Sequence, residues 1–177
     1  MARCVIRTCR KEFVKRSMTH KACSPECAAE YAKQQRLKKE AKEHRARKLA
    51  IKPRSAWMRE AQAEFNAFIR ERDKALPCIS CGRFHTGQYH AGHYLSTGAR
   101  PELRFEPMNV WKQCQPCNMY LSGNLVLYRV ALVEKIGIEN VEWLEGNHAP
   151  KKYTIADLKS IRDEYRLKLK ELRNASI

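Results

Sequence analysis

The order of apolar and polar positions predicts a mainly helical chain with one irregular segment in the middle. The first predicted helix begins at Ser24, and from Cys27 to about Ala50 its residues are helix formers without a continuous apolar stripe. Ser24 is expected to cap this helix and Pro53 to end it. A helix without an apolar face is expected to lie in solvent or against a bound partner.

A second predicted helix carries an apolar stripe that belongs to the core. Ser55 is expected to cap it, and the pair Leu76-Pro77 is expected to stop it. The apolar residues recur at the spacing of one helix face: Trp57, Ala61, Phe65, Phe68 and Ile69. A loop and short strands are expected to follow, from Cys78 to about Phe105.

Three more helices are predicted nearer the end of the chain. One spans Leu125–Ile136 and closes at Gly137, and a short one spans about 139–145 and closes at Gly146. The last begins with a capping box at positions 154–157. Its apolar stripe contains Leu158, Ile161, Tyr165, Leu169 and Leu172. This stripe packs either on the core or on a second subunit, and the sequence leaves both open.

The chain is short and strongly basic. Its 177 residues suffice for one domain, or for one small domain with appendages. Lys and Arg number 35 against 19 Asp and Glu, which gives a formal net charge of +16. A charge that is both high and clustered favours a polyanionic partner, most commonly nucleic acid, over a merely basic surface.

The sequence also bears on the compartment. No apolar run approaches the roughly 20 residues that cross a bilayer, and the start of the chain lacks the apolar stretch of a signal peptide. We therefore expect no membrane association and a location in a reducing cytoplasm. The eight cysteines are then expected to be metal ligands rather than disulfides.

Two CxxC pairs in the middle of the chain predict a structural zinc site. Each pair supplies two thiolates from one tight turn, so two pairs complete a closed tetrahedron with no open position for water. The ligands are Cys78, Cys81, Cys114 and Cys117. A redox motif is the alternative, but no βαβ pattern surrounds either pair. The long intervening loop, 82–113, contains His85, His90, His93 and Asn109.

Four cysteines near the start suggest a second zinc module. They are Cys4, Cys9, Cys23 and Cys27. Their spacing is looser than CxxC, so four free thiols, or His20 as a replacement ligand, remain alternatives.

Basic residues concentrate on the first predicted helix, which is expected to contact DNA phosphates without sequence preference. The residues expected to bind DNA there and just beyond are Lys38, Lys39, Lys42, Arg45, Arg47, Lys48 and Arg54. A solvated helical spacer is the alternative. Nearer the histidines, four further residues are expected to hold a DNA strand: Arg100, Arg104, Lys112 and Arg129.

Three segments resemble the arms of an HNH nuclease motif. They are Gln88–Tyr94, Phe105–Cys114, and Cys117-Asn118 followed by Ser122–Asn124. Nearly the whole chain resembles the NinG (Rap) recombination proteins of lambdoid phages. The shared pieces are Lys52–Ser55 with Trp57, Asn66–Asp73, Leu76–Gly82, Ala91–Tyr94, Leu103–Phe105, Asn109, Lys112–Cys114 with Cys117-Asn118, and Ser122–Val130.

This resemblance implies a structure-selective endonuclease that acts on branched recombination intermediates such as Holliday junctions and D-loops. The expected fold is small α+β: a ββα-metal (HNH, treble-clef-like) zinc core surrounded by α-helices, with an N-terminal zinc-binding module. The expected segments are a Cys₄ zinc module at 1–27, a basic helix at 28–54, a nuclease core with Cys₄ zinc at 55–137, and a helical segment at 138–177. A non-catalytic zinc module that binds nucleic acid is the alternative. A resolvase must cut two strands, so a homodimer is expected, although the sequence contains no interface signature.

The resemblance also assigns roles within the loop. His93 is expected to be the general base, because a histidine titrates near neutral pH and can take a proton from water. Asn109 either orients this base or fixes the loop through backbone hydrogen bonds. Asn118 is expected to hold the catalytic Mg²⁺ or Mn²⁺. Alternatively, His93 is a structural or metal-binding histidine, Asn109 is a turn residue and Asn118 is a helix N-cap.

One position departs from the motif. Many HNH sites have an Asp or His metal ligand directly before the base, where this chain has Gly92. His90 is the expected replacement, although side chains of a strand alternate between faces, and Glu102 and Glu106 are reserves. Because a histidine ligand prefers a softer metal than Mg²⁺, Mn²⁺ or another transition ion is expected to work well.

Overall fold

A computed structural model describes residues 1–175. The chain divides into two units, Met1–Lys52 and Pro53–Ile177. The last two positions of the predicted 138–177 segment lie outside the described residues. The fold is mixed α and β, with mostly helices and two small sheets, as the sequence predicts at this coarse level. Among the described residues, none of the helices has the length and apolar character needed to span a bilayer.

The first unit is a short hairpin followed by a long helix. Strands β1 (Ala2–Arg3) and β2 (Glu12–Phe13) pair antiparallel, and helix α1 spans Pro25–Ala50. Ser24 caps α1 as predicted, because its side chain accepts a hydrogen bond from the backbone N–H of Cys27. No residue of α1 is buried, so the unit has only a small core around its cysteines.

The second unit begins with helix α2 (Arg54–Arg72), which packs along the last helix, α5 (Ile155–Asn174). Phe65 is fully buried, and its ring makes edge-to-face contacts with Phe105 and Tyr165 at 5.6 and 4.7 Å between centroids. The stripe of α5 therefore packs on the core of its own chain. The capping box at Thr154 and Asp157 is present as predicted.

Ser55 does not cap α2. The helix begins one residue earlier, at Arg54, and Pro53 occupies the N-cap position without a side-chain hydrogen bond. The physical reason is that Pro53 has an extended backbone, φ −70° and ψ 154°, from which the helix starts directly.

Between α2 and α5 lies an antiparallel hairpin that carries most of the candidate site. Strand β3 (Tyr89–His93) pairs with β4 (Val110–Cys114), with His93 opposite Val110 and His90 opposite Gln113. Two short 3₁₀ turns, Pro101–Leu103 and Pro107–Asn109, shape the loop that joins the strands. This loop thus starts directly after His93 and ends at Asn109.

After β4 the chain makes a π-helical turn at Pro116–Tyr120. Helices α3 (Leu125–Ile136) and α4 (Ile138–Glu145) follow, and both close at a glycine as predicted. They form a second apolar cluster with the hairpin loop, in which Tyr128, Leu132, Val141 and Leu144 are fully buried. The hydroxyl of Tyr128 donates to the carbonyl of Gly92 at 2.9 Å, which ties α3 to β3.

Candidate functional site

The four central cysteines meet at one point. Their sulfur atoms all lie within 4.8 Å of one another, as needed for one tetrahedral ion with Zn–S bonds of roughly 2.3 Å. One CxxC pair precedes β3, and the other spans the end of β4 and the π-helical turn. This tetrad could hold a zinc ion that connects the chain just before β3 to the end of β4, at the open end of the hairpin.

Hydrogen bonding favours the thiolate form at Cys78. Burial raises the pKa of its thiol, but hydrogen bonds from the backbone N–H groups of Cys114, Cys81 and Ser80 together lower the pKa by more. The pKa of Cys78 therefore lies below the usual value. The N–H of Cys114 donates to the sulfur at 3.3 Å. His85 Nε2 lies 3.3 Å from the sulfur of Cys81, at the edge of the tetrad.

The N-terminal cysteines also meet within 4.8 Å, so this second tetrad could likewise hold zinc. Cys9 and Cys23 have sulfurs 3.4 Å apart, and Cys23 and Cys27 have sulfurs 3.8 Å apart. His20 does not replace a ligand. Its Nδ1 accepts from the backbone N–H of Arg16, and its ring packs on Phe13.

The imidazole of His93 is held by the loop that joins the two strands. Its Nε2 lies 2.9 Å from the backbone carbonyl of Arg104, and a carbonyl can only accept, so Nε2 carries the proton. In the neutral ring the lone pair is then on Nδ1. Burial lowers the pKa of His93 more than the Arg104 carbonyl raises it, so the ring is neutral at pH 7. A neutral, oriented imidazole can accept a proton.

Asn109 fixes the loop that supplies this carbonyl. Its side chain is fully buried, accepts from the N–H of Leu95 at 2.8 Å, and donates to the carbonyls of Leu95 and Leu103 at 3.0 and 3.2 Å. Its backbone carbonyl accepts from Tyr94. Of the roles considered for Asn109, these contacts match loop fixation. It is therefore a positioning residue, because the Leu103 carbonyl that it holds belongs to the residue directly before Arg104.

The glycine before His93 is explained by the opposite strand. A Cβ on Gly92 would lie 2.2 Å from Oε1 of Gln113 and 2.9 Å from its Cβ. Gln113 is fully buried, and its amide donates to Ser80 Oγ at 2.7 Å and to the carbonyl of Gly123 at 2.5 Å. Gln113 therefore fills the space where a metal-binding side chain at position 92 would begin.

His90 and His93 lie on opposite faces of β3, because they are three residues apart in a regular strand. His90 shares its face with Gly92 and Gln113. Among the described residues, His90 Nε2 and Gln113 Oε1 are the buried side-chain atoms that lack a hydrogen-bond partner. An imidazole nitrogen and an amide oxygen are both possible ligands of a cation such as Mn²⁺, so these two atoms could contribute to a metal site on this face.

The remaining candidate ligands are separated. Asn118 is half-buried in the π-helical turn, directly after Cys117. Glu102 pairs with Arg100 at 3.7 Å, and Glu106 accepts from the N–H of Met108, so both carboxylates have structural partners. Within residues 1–175, groups of three or more His, Cys, Asp or Glu side chains that could hold a metal occur only at the two cysteine tetrads.

The predicted DNA contacts on α1 are all exposed. Lys38, Lys39, Lys42, Arg45, Arg47 and Lys48 lie on a helix that is open to solvent from its second turn onward. Arg47 has an ion pair with Glu43 at 3.7 Å. Arg54 belongs to α2, where its Nε donates to the carbonyl of Tyr153 at 2.7 Å.

Lys112 is an interior residue, contrary to the expectation of a DNA contact. It is 6% exposed, its ammonium donates to the carbonyl of Lys74 at 2.9 Å, and it lies 4.3 Å from the ring centroid of Tyr89. The ammonium group of Lys112 therefore contacts Lys74 and Tyr89 inside the protein and is not placed to contact a phosphate.

The arginines around the loop also have internal partners. Arg104 donates to Gln62 at 3.1 Å, Arg100 donates to the last carbonyls of α4, and Arg129 forms a two-pronged ion pair with Glu145. Arg100 and Arg129 thus fasten α3 and α4 to the loop. Sequence reasoning missed Gln113 and the carbonyl of Arg104. The hairpin register would have placed Gln113 opposite His90, but no side-chain signal marks a backbone carbonyl.

Comparison with known proteins gives a family. The family model described as Bacteriophage Lambda NinG protein matches residues 1–175. Protein ninG of Escherichia phage lambda is 45% identical over 191 aligned positions, which cover 98% of this chain and 94% of the relative. The Salmonella phage P22 protein is 44% identical over the same shares, and that of Escherichia phage 933W is 53% identical over 73% of this chain and 64% of its own. No solved structure matches. The chain therefore belongs to the NinG family of lambdoid phage proteins.

Proposed function

We propose that this chain is a metal-dependent endonuclease that hydrolyses phosphodiesters in branched DNA, in the cytoplasm of the phage's host. The observation that carries the proposal is the arrangement at His93. A histidine at the end of a strand has its Nε2 proton fixed by a carbonyl, and the loop that supplies the carbonyl is fixed by Asn109. A hairpin, a cysteine pair and a helix follow one another along the chain, and the resemblance to HNH nucleases implies this order.

His93 is the general base in this proposal. Nδ1 takes a proton from a water molecule, and the resulting hydroxide attacks phosphorus. The bond from phosphorus to the leaving sugar oxygen then breaks, and that oxygen takes a proton from solvent. The Nε2 proton stays on the ring and its hydrogen bond to the Arg104 carbonyl strengthens as the ring becomes positive, which stabilises the developing imidazolium.

The proposed divalent ion, Mg²⁺ or Mn²⁺, would stabilise negative charge on the phosphate. Asn118 is the ligand that the motif implies, whereas His90, the second ligand expected from the sequence, lies on the opposite face of β3 from His93. Both cysteine tetrads would hold structural zinc, since four thiolates leave no position for water.

DNA would be held through α1. Six basic side chains on an exposed helix can neutralise phosphates and release counterions, which gives affinity without reading bases. Such binding suits an enzyme that recognises a branched shape. Cutting both sides of a junction needs two active sites, which a homodimer would supply.

A non-catalytic DNA-binding protein is the second candidate. It is favoured by the absence, within residues 1–175, of a third cluster of ionisable metal ligands and by the separation of His90 from His93.

An assay that scores binding and cutting separately distinguishes the two functions. Zinc-loaded protein is mixed with a labelled four-way junction, or with a linear duplex of the same sequence, in Mg²⁺ or Mn²⁺. We expect cutting of the junction by the wild-type protein and by the control His148→Ala, which changes a partly exposed histidine that packs on Trp143. We expect binding without cutting by His93→Ala. Binding without cutting by the wild-type protein in every metal would establish the non-catalytic function instead.

A further inference from the structure

The segment from Gln113 to Val133 is almost uncharged in a chain where 31% of residues are charged. Its one charged residue, Arg129, is neutralised by Glu145 through bonds of 2.8 and 3.0 Å. The segment therefore presents a neutral surface on a protein whose net charge is +16.

Much of this neutral surface is apolar and exposed. We call the following seven residues the apolar patch: Met119, Tyr120, Leu121, Leu125, Val126, Leu127 and Val130. Val126 is 78% exposed and Val130 56%, and their four-residue spacing places them side by side on α3. The buried face of α3 is different, because Tyr128 and Leu132 point into the second apolar cluster. The residues of the apolar patch therefore do not belong to the core that α3 helps to form.

The exposure of the apolar patch indicates a protein partner. Its seven residues are each 47–78% exposed and lie between Met119 and Val130, and apolar residues exposed together in this way mark interaction sites on soluble proteins. DNA is disfavoured as the occupant, because bases lie between phosphates and the patch offers no unpaired cation to hold them.

We infer that the apolar patch is the contact surface of a homodimer, in which α3 of one copy packs against α3 of the other about a two-fold axis. Two chains of charge +16 repel each other, so their association is least opposed where the contacting surfaces are neutral. The apolar patch meets that requirement, and an isologous contact between two copies covers it completely. This inference rests on the homodimer of the proposed function and names its contact surface, but association through α3 itself requires neither DNA nor cutting.

The test is sedimentation equilibrium of the full-length, zinc-loaded protein without DNA, for the wild type and two variants. Val126→Glu combined with Val130→Glu places carboxylates in the patch, and the first lies in the opening turn of α3, where a negative charge is compatible with the helix. Leu167→Glu is the matched control, because Leu167 is an exposed leucine of α5 outside the patch.

We expect a wild-type dimer in the micromolar range that tightens as NaCl is raised, because salt screens the repulsion between the two basic chains. The double variant should weaken dimerisation by at least about a hundredfold, since each buried carboxylate would lack a partner, while Leu167→Glu should not. A wild-type monomer throughout the micromolar range, or a double variant that dimerises like the wild type, overturns the inference.

A photo-crosslink makes the test independent of variant folding. Val126→p-benzoylphenylalanine should yield a covalent dimer on irradiation, and the same substitution at Leu167 should not. A crosslink that stays within one chain would show that the patch is covered by the chain itself, which contradicts the inference. Since cutting is not measured, failure here removes the α3 contact and leaves hydrolysis at His93 intact, and failure of hydrolysis leaves the dimer intact.

Discussion

Replacing Asn109 by alanine should destabilise the hairpin loop and, through it, the orientation of His93. The asparagine side chain makes three hydrogen bonds of 2.8 to 3.2 Å to the backbone of Leu95 and Leu103, all in a fully buried position. Each such bond contributes about 1 kcal/mol, and alanine offers the backbone groups no replacement. We therefore expect Asn109→Ala to lower the free energy of unfolding by about 3 kcal/mol.

Urea unfolding, followed by far-UV circular dichroism at a fixed free-zinc concentration, measures this loss. With a urea dependence of about 1–3 kcal/mol per molar, the midpoint should fall by about 1–3 M. Asn140→Ala is the control, because Asn140 is exposed and its amide makes a single bond to Ile136 at the end of α3. That variant should lose no more than about 0.5 kcal/mol. If Asn109→Ala matches Asn140→Ala, Asn109 does not fix the loop and the account of His93 orientation is wrong.

Three further predictions follow from the site. Gly92→Ala should lower the free energy of unfolding by about 2 kcal/mol in thermal unfolding, because the new Cβ would displace Gln113 from Ser80 and Gly123. The control Gly87→Ala, with open space around it, should change little, and equal effects of the two variants would contradict the packing described for Gln113. Metal analysis should find two zinc ions per wild-type chain and one zinc ion per chain in either Cys117→Ser or Cys9→Ser, and only Cys117→Ser should impair the fold of the second unit. An unchanged zinc content in either variant would argue against zinc binding by the tetrad that contains the substituted cysteine. Burial lowers the pKa of His93 below 6.5, so its neutral form predominates at pH 7. The cutting rate should therefore be level around pH 7 and fall only below pH 6.5, and any stability contributed by the neutral ring should be lost over the same range. A cutting rate that still rises steeply above pH 7 because of His93 would contradict this environment.

Most helix ends could be read from the sequence because the signals that set them are local, but α2 ends at Arg72 and not at the predicted Leu76-Pro77. Ser24, the Thr154 capping box, Gly137 and Gly146 all act within one turn of the helix they begin or end. Ser55 was the wrong cap because Pro53, two residues earlier, already has the extended backbone from which a helix starts.

The arrangement of the site depends on contacts that are distant in sequence. Lys112 has the charge of a DNA-binding residue, but the carbonyl of Lys74 and the ring of Tyr89 enclose it, and neither partner is apparent from the local pattern. The reason for Gly92 lies in Gln113, which is adjacent only once the hairpin has formed. Alternation along β3 did anticipate that His90 and His93 would be on different faces.

The central claim is that an imidazole held by the Arg104 carbonyl removes the proton from the attacking water. Its most direct test is the single-turnover cutting rate of a four-way junction bound by excess protein, compared between the wild type and His93→Ala at equal zinc content. Loss of a general base should lower this rate by roughly 10²–10⁴-fold while the affinity for the junction stays the same. A His93→Ala protein that cuts the bound junction at the wild-type rate would contradict the account.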